Sequence, residues 1–301
     1  MQTRTGFHGI YPMLYALFEA DESLARDAFR HQVKAMVRSG VDGVAVLGLA
    51  SEVHKMTSIE RRTLLEWTAE DLEGRLPLAV TVAEPSVASQ VEFVQAAAQL
   101  GASWVILQPS PAHDVPEIEA LRFVGSVAEH SPLPVGVQVA PGYLGTGFSK
   151  EGLRTLQKNH SNIQLLKVGE NALALSELID SLGGTWDVFN GRAGLQLPDV
   201  LRAGCAGVIP GAECADVQAR VYRAYRSISK SEDADAAYQT IASLISFIEH
   251  SIDAFLVHGK PLLASRLNIG EGYGRVRAPS SILTDFGRKT VTRHASALGP
   301  L

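Results

Sequence analysis

Eight short apolar runs, each followed by a polar loop and a stretch of helical period, occupy residues 1–230. They fall at 9–18, 43–47, 78–82, 104–107, 135–139, 163–167, 186–190 and 207–209. Runs of this length read as buried strands, and apolar residues at helical spacing read as amphipathic helices. The stretch 24–38, for example, puts Phe29, Val33 and Met36 on one face. Thr57, with Glu60 three residues on, forms the capping-box pattern of a helix start. Strands separated by helices pair in parallel and are covered by those helices. Eight uninterrupted units predict an α/β fold, a (β/α)8 TIM barrel over 1–230. An open doubly wound sheet is the competing arrangement, because periodicity does not show closure. After residue 231 the strands stop, and 235–250, 254–265 and 280–297 read as helices. They predict a helical extension over 231–301, packed on the barrel or across a subunit contact.

Composition narrows the function. The net charge is −5, and lysine and arginine do not cluster, which argues against nucleic acid. Cys205 and Cys214 form no CxxC pair and read as small buried residues. No uninterrupted apolar run is long enough to span a membrane, and no signal-peptide pattern precedes the first strand. A cytoplasmic protein is expected. The histidines show no HExxH spacing, and no GxGxxG or P-loop follows the first strand, so neither a metal nor a cofactor is expected. Ser51 lacks the GxSxG context of serine hydrolases.

In a closed barrel the chemistry gathers at the carboxyl ends of the strands. The sixth run, Ile163-Gln164-Leu165-Leu166-Lys167, ends in a lysine at such a place. A lysine partly desolvated there has a lowered pKa and can condense with a ketone or aldehyde to a Schiff base. A lysine simply facing solvent at a strand end is the alternative. The polar residues expected at the same end are Tyr15, Ser51, Glu52, Thr81, Gln138, Tyr143, Asn190 and Arg192. Arg192, or backbone amides of the Gly48–Ser51 loop around Ala50, could hold a substrate carboxylate. Gln138, one strand over, could approach Lys167. Glu52 could equally pair with a cation or cap a helix, and Asn190 could simply shape its loop.

At these residues the chain resembles the dihydrodipicolinate synthase/N-acetylneuraminate lyase family over nearly its whole length. Gly48-Leu49-Ala50-Ser51-Glu52 looks like the family's Gly-Thr-Thr-Gly-Glu loop. Leu166-Lys167 looks like its Schiff-base strand, and Val188-Phe189-Asn190-Gly191 and Gly207-Val208-Ile209 look like its last barrel segments. The resemblance implies a (β/α)8 barrel with carboxyl-terminal helices, a homo-oligomer (dimer or tetramer), and handling of a small-molecule 2-oxo acid through a lysine imine without metal or organic cofactor. It also implies substrate contacts from Gly48, Ala50 and Ile209.

The departures redirect the reading. Gln138 stands where many members have a proton-relaying tyrosine, and Leu49 and Ala50 stand at the paired threonines. No tyrosine follows the fourth strand, where the chain reads Pro109-Ser110-Pro111. The family arginine after the fifth strand falls near Tyr143. This pattern is similar to the L-2-keto-3-deoxyarabonate dehydratase branch, which also lacks the tyrosine and carries a Ser-Glu pair comparable to Ser51-Glu52. Val139, Arg192 and Ala193 differ from that branch.

The expectation is a class I (imine-forming) lyase that dehydrates a 2-keto-3-deoxy sugar acid. Lys167 attacks C2, and Ser51, Glu52, water on Gln138 or Tyr143 assist proton transfer. Gln138 itself only orients, because an amide has no useful pKa near neutrality. Aldol cleavage or condensation by the same imine is the first alternative. A non-catalytic metabolite-binding or structural barrel is the second.

Overall fold

The computed structural model describes residues 5–109, 115–145, 147–227 and 231–301. The expected loop positions 110–114 and Thr146 lie outside them. The strands are β1 (Gly9–Ile10), β2 (Val44–Val46), β3 (Leu78–Val82), β4 (Trp104–Leu107), β5 (Val135–Val139), β6 (Ile163–Val168), β7 (Asp187–Asn190) and β8 (Gly207–Val208). All pair in parallel, in the order β1-β8-β7-β6-β5-β4-β3-β2. Closure comes through Met13, which bridges both Ala45 of β2 and Gly211 beyond β8. The Leu14 N–H donates to Ala45 O at 2.8 Å, and the Ala45 N–H donates to Pro12 O at 2.9 Å. The sheet therefore closes as a (β/α)8 barrel rather than opening into a doubly wound sheet.

The first strand is shorter than the sequence predicts. Its run 9–18 yields a two-residue ladder, because Pro12 has no N–H to give; the chain still bonds to both neighbours around it, with Ile10 O accepting from the Asp42 N–H at 3.0 Å and the Met13 N–H donating to Pro210 O at 2.7 Å. The segment after β5, expected as a glycine-rich loop, holds a short helix at Pro141–Leu144, with proline at its first turn where no N–H is needed.

Side chains alternate across each strand. One set, including Tyr11, Met13, Trp104, Ile106, Leu165, Phe189 and Ile209, fills the barrel interior. The other set packs outward beneath the helices. Trp104 fits inside because β5 carries Gly136 beside it: a Cβ there would lie 3.1 Å from the indole Cζ3. Below the site, Trp104, Tyr11 and Phe189 form mutual ring contacts at centroid distances of 5.3–5.8 Å, which plugs the barrel floor.

The extension comprises helices Ser231–Ile248, Ile252–Leu267 and Asp285–Leu298. Among the described residues, three of its own cations tie it to the barrel. Arg266, fully buried, donates to Glu213 O at 2.6 Å and pairs with Asp216 at 3.0 Å. Lys260 pairs with Glu52 at 2.5 Å. Arg277 donates to Lys55 O and pairs with Glu60. Among the described residues no helix is long and apolar enough to cross a membrane.

Candidate active site

At the carboxyl end of the barrel lies a cavity that opens to solvent, lined by side chains from the strand ends and from the extension. Lys167 sits at its base. Strand alternation turns Leu165 and Lys167 inward together, and Lys167 is in register with Gln138 of β5 and Phe189 of β7. The side chain is 9% exposed, and among the described residues no carboxylate pairs with it. Burial without a compensating charge lowers its pKa from 10.5 to about 8.

The loop after β2 forms the wall opposite. The N–H of Gly48 points to Met13 Sδ at 3.2 Å. A Cβ on Gly48 would collide with Met13 Cε at 2.4 Å and would meet Lys167 Nζ only in ordinary van der Waals contact at 3.5 Å, so glycine here makes room for the Met13 side chain. Leu49 and Ala50, which line the cavity, open a 3-10 turn over Leu49–Ser51. The first N–H groups of such a turn have no acceptor within it.

Of the other expected site residues, Gln138, Tyr143, Arg192 and Ile209 line the cavity, whereas Ser51, Glu52, Tyr15, Thr81 and Asn190 do not. Ser51 Oγ donates to Leu14 O at 2.5 Å and accepts from the Leu47 N–H at 3.0 Å, which fastens the β2 loop to the chain after β1. Glu52 is fully buried and accepts from Lys260 Nζ, from Lys55 Nζ at 3.2 Å and from the Arg277 N–H at 3.0 Å. The sequence suggests acid–base duties for this pair; here both side chains are bonded to the β2 loop and to the segments that support it. Tyr15 is buried and donates to Glu213 Oε2 at 2.7 Å. Thr81 is buried on β3, its hydroxyl without a partner among the described residues. Asn190 donates to Glu170 O at 3.1 Å and accepts from the Gly191 N–H, so it shapes the loops after β6 and β7.

Gln138 accepts from Gln108 Nε2 at 3.2 Å, and Gln108 itself is held near β4 by Gln90 on its carbonyl. This chain of amides fixes the Gln138 head group beside Lys167. Tyr143 lies over the end of β6: a Cβ on Gly169 would touch its ring at 3.4 Å. Its hydroxyl donates to Glu249 Oε1 at 2.7 Å. Burial, reinforced by that carboxylate, pushes its pKa up to about 12, so the phenol remains a proton donor. Arg192 donates from Nε and Nη2 to the two oxygens of Glu249, each at 2.9 Å. The bidentate pair holds the guanidinium above its ordinary pKa.

Glu249 is the lining residue that sequence reasoning missed. It follows the helix Ser231–Ile248 and is far in sequence from every strand end. Phe255 and Ile252 of the next helix also line the cavity. Glu213, which does not line the cavity, was also not singled out in the sequence. It is fully buried behind Gly211, and burial raises its pKa to about 6. Among the described residues no group of His, Cys, Asp and Glu is placed to hold a metal ion.

The barrel and the helical extension are shared with known proteins. The structure superposes on dihydrodipicolinate synthase from Rhodopseudomonas palustris with a TM-score of 0.86, at 19% identity, covering 98% of this chain and 99% of that one. It superposes on YagE of E. coli K12, solved in complex with pyruvate, with a TM-score of 0.83 at 22% identity, covering 97% and 98%. In sequence it is 30% identical over 248 residues to the L-2-keto-3-deoxyarabonate dehydratase of Azospirillum brasilense, which covers 79% of this chain and 78% of that protein. It is 27% identical to a 4-hydroxy-tetrahydrodipicolinate synthase of Methanococcus maripaludis, covering 67% and 68%. The profile of the dihydrodipicolinate synthetase family matches residues 6–262, from ahead of β1 into the helix that carries Lys260. The chain therefore belongs to the dihydrodipicolinate synthetase family.

Proposed function

We propose that the protein is a Schiff-base-forming lyase that dehydrates a 2-keto-3-deoxy sugar acid. The observation that carries this reading is Lys167: a buried amine at the end of β6, at the base of a cavity, unpaired among the described residues and with a pKa lowered to about 8. The similarity to the Azospirillum dehydratase supports the choice of substrate class.

The substrate carboxylate docks on the first N–H groups of the Leu49–Ser51 turn, as anions do at such termini. The neutral Lys167 amine adds to C2, and the carbinolamine loses water to an iminium. Electron withdrawal by the iminium lets a C3 proton leave, giving an enamine. The enamine expels the C4 hydroxyl, which departs as water after protonation. Hydrolysis frees Lys167 and releases a product one water lighter than the substrate. Tyr143, kept protonated, is suited to deliver the proton to the leaving hydroxyl. Gln138 orients water beside the imine and takes no proton itself. Ser51 and Glu52 act by holding the β2 loop.

The same imine could instead break the C3–C4 bond. Product analysis separates the two: a 2-oxo acid of unchanged carbon count and one water lighter supports dehydration, whereas release of pyruvate with an aldehyde assigns aldol cleavage. Exposed Ile282 and Phe286 on the extension support association into a homo-oligomer, dimer or tetramer. Free, buried Cys205 and Cys214 suit a cytoplasmic setting.

A further inference from the structure

The loop after β7 is held in an unfavourable backbone conformation. Arg192 and Ala193 both have φ of 52°, in the left-handed region that non-glycine residues avoid. Such strain persists only where the surroundings over-determine it. Here the Gln218 side chain donates to Ala193 O at 2.8 Å, and the Leu195 N–H closes onto Arg192 O at 2.7 Å. Glu249 completes the restraint by gripping the guanidinium with both oxygens while also accepting from Tyr143. The result is an arginine set at the rim of the cavity, with Nε and Nη2 spent and Nη1 without a carboxylate partner among the described residues.

Among the described residues lining the cavity, the charged ones are Lys167, Arg192 and Glu249. Arg192 and Glu249 cancel each other. When a 2-oxo acid forms its imine, the iminium on Lys167 and the substrate's own carboxylate also cancel. A second carboxylate on the tail would enter as an uncompensated charge beside Met13, Ile209, Ile252 and Phe255. That is costly away from water. A hydroxyl suits the same rim, because it can donate to Glu249 Oε2 and accept from Arg192 Nη1.

We propose that Glu249, through its pair with Arg192, is a specificity determinant that makes the rim electrically neutral, admitting an uncharged hydroxylated tail and turning away substrates with a second carboxylate. The inference rests on the Schiff-base reading above.

The test uses the full-length protein and a matched pair of 2-keto-3-deoxy sugar acids of equal chain length, one ending in a hydroxymethyl group and one in a second carboxylate. The rate of borohydride-trapped adduct formation is read for each, and the result is expressed as their ratio. The wild type is expected to favour the single-carboxylate acid by about tenfold or more, the order that one unit charge at a partly shielded rim produces. Glu249→Gln uncovers the arginine and should move the ratio toward the diacid by about tenfold. Arg192→Gln uncovers the carboxylate and should move it the other way. A structural role alone would not give shifts of opposite sign. A wild-type preference for the diacid overturns the inference even if neither variant folds, as does a ratio that stays fixed or moves the same way in both variants. Pyruvate, which has no tail, is the separating arm. With no pyruvate adduct in the wild type, the Schiff-base reading falls and takes the inference with it. With a pyruvate adduct but no response of the ratio, only the role of Glu249 falls.

Discussion

At the residue scale the proposed chemistry rests on a single buried amine. Lys167 faces Gln138 on one side and Phe189 on the other, with no carboxylate paired to it among the described residues to favour its charged form. Only the neutral amine adds to a carbonyl, and that form dominates above the folded-state pKa of about 8. The sign is therefore fixed: kcat/KM should rise with pH up to about 8 and flatten beyond it. An inflection near the ordinary lysine value of 10.5 would mean that the nucleophile is not the desolvated amine. The position of this lysine was legible in the sequence, because an apolar run that ends in a charged residue has few other places to put it. Glu249 was not legible. Its signal is one acidic residue after a helix, and what makes it part of the site is a fold-level contact with Arg192.

At the element scale, the β2 loop is held from outside the barrel. Glu52 lies in the left-handed conformation between two 3-10 turns and is fully buried, where cations surround it. Lys260 is the nearest, itself fully buried and lying 4.6 Å from the Phe18 ring centroid. Removing one partner of a buried pair leaves the other uncompensated, which costs about 3 kcal/mol or more. Lys260→Met should lower the urea unfolding free energy by about 3 kcal/mol, and adding Glu52→Gln should restore part of the loss. A single variant as stable as the wild type would show that Lys55 and Arg277 suffice. The sequence placed this loop correctly through its small residues and its capped helix at Thr57. It left open whether Glu52 faced a substrate or a cation, and pairing with a residue 208 positions away is invisible to local pattern.

At the scale of the molecule, the eightfold alternation of strand and helix was enough to predict a parallel sheet covered by helices and to favour a barrel, because each apolar run had to be buried on both faces. Closure was not legible. It depends on Met13 bridging two strands just after Pro12 interrupts the first, and a proline in an apolar run reads only as a margin. The extension was legible as helices but not as part of the cavity, to which it contributes Glu249, Ile252 and Phe255. Barrel and extension thus build one site around Lys167. The most direct test is to treat the purified protein with borohydride in the presence of pyruvate or a 2-keto-3-deoxy sugar acid, and to map the product by peptide mass. A reduced adduct on Lys167 that is absent from Lys167→Ala is the predicted result. A folded protein that traps none of these compounds, or traps them on another lysine, would contradict the account.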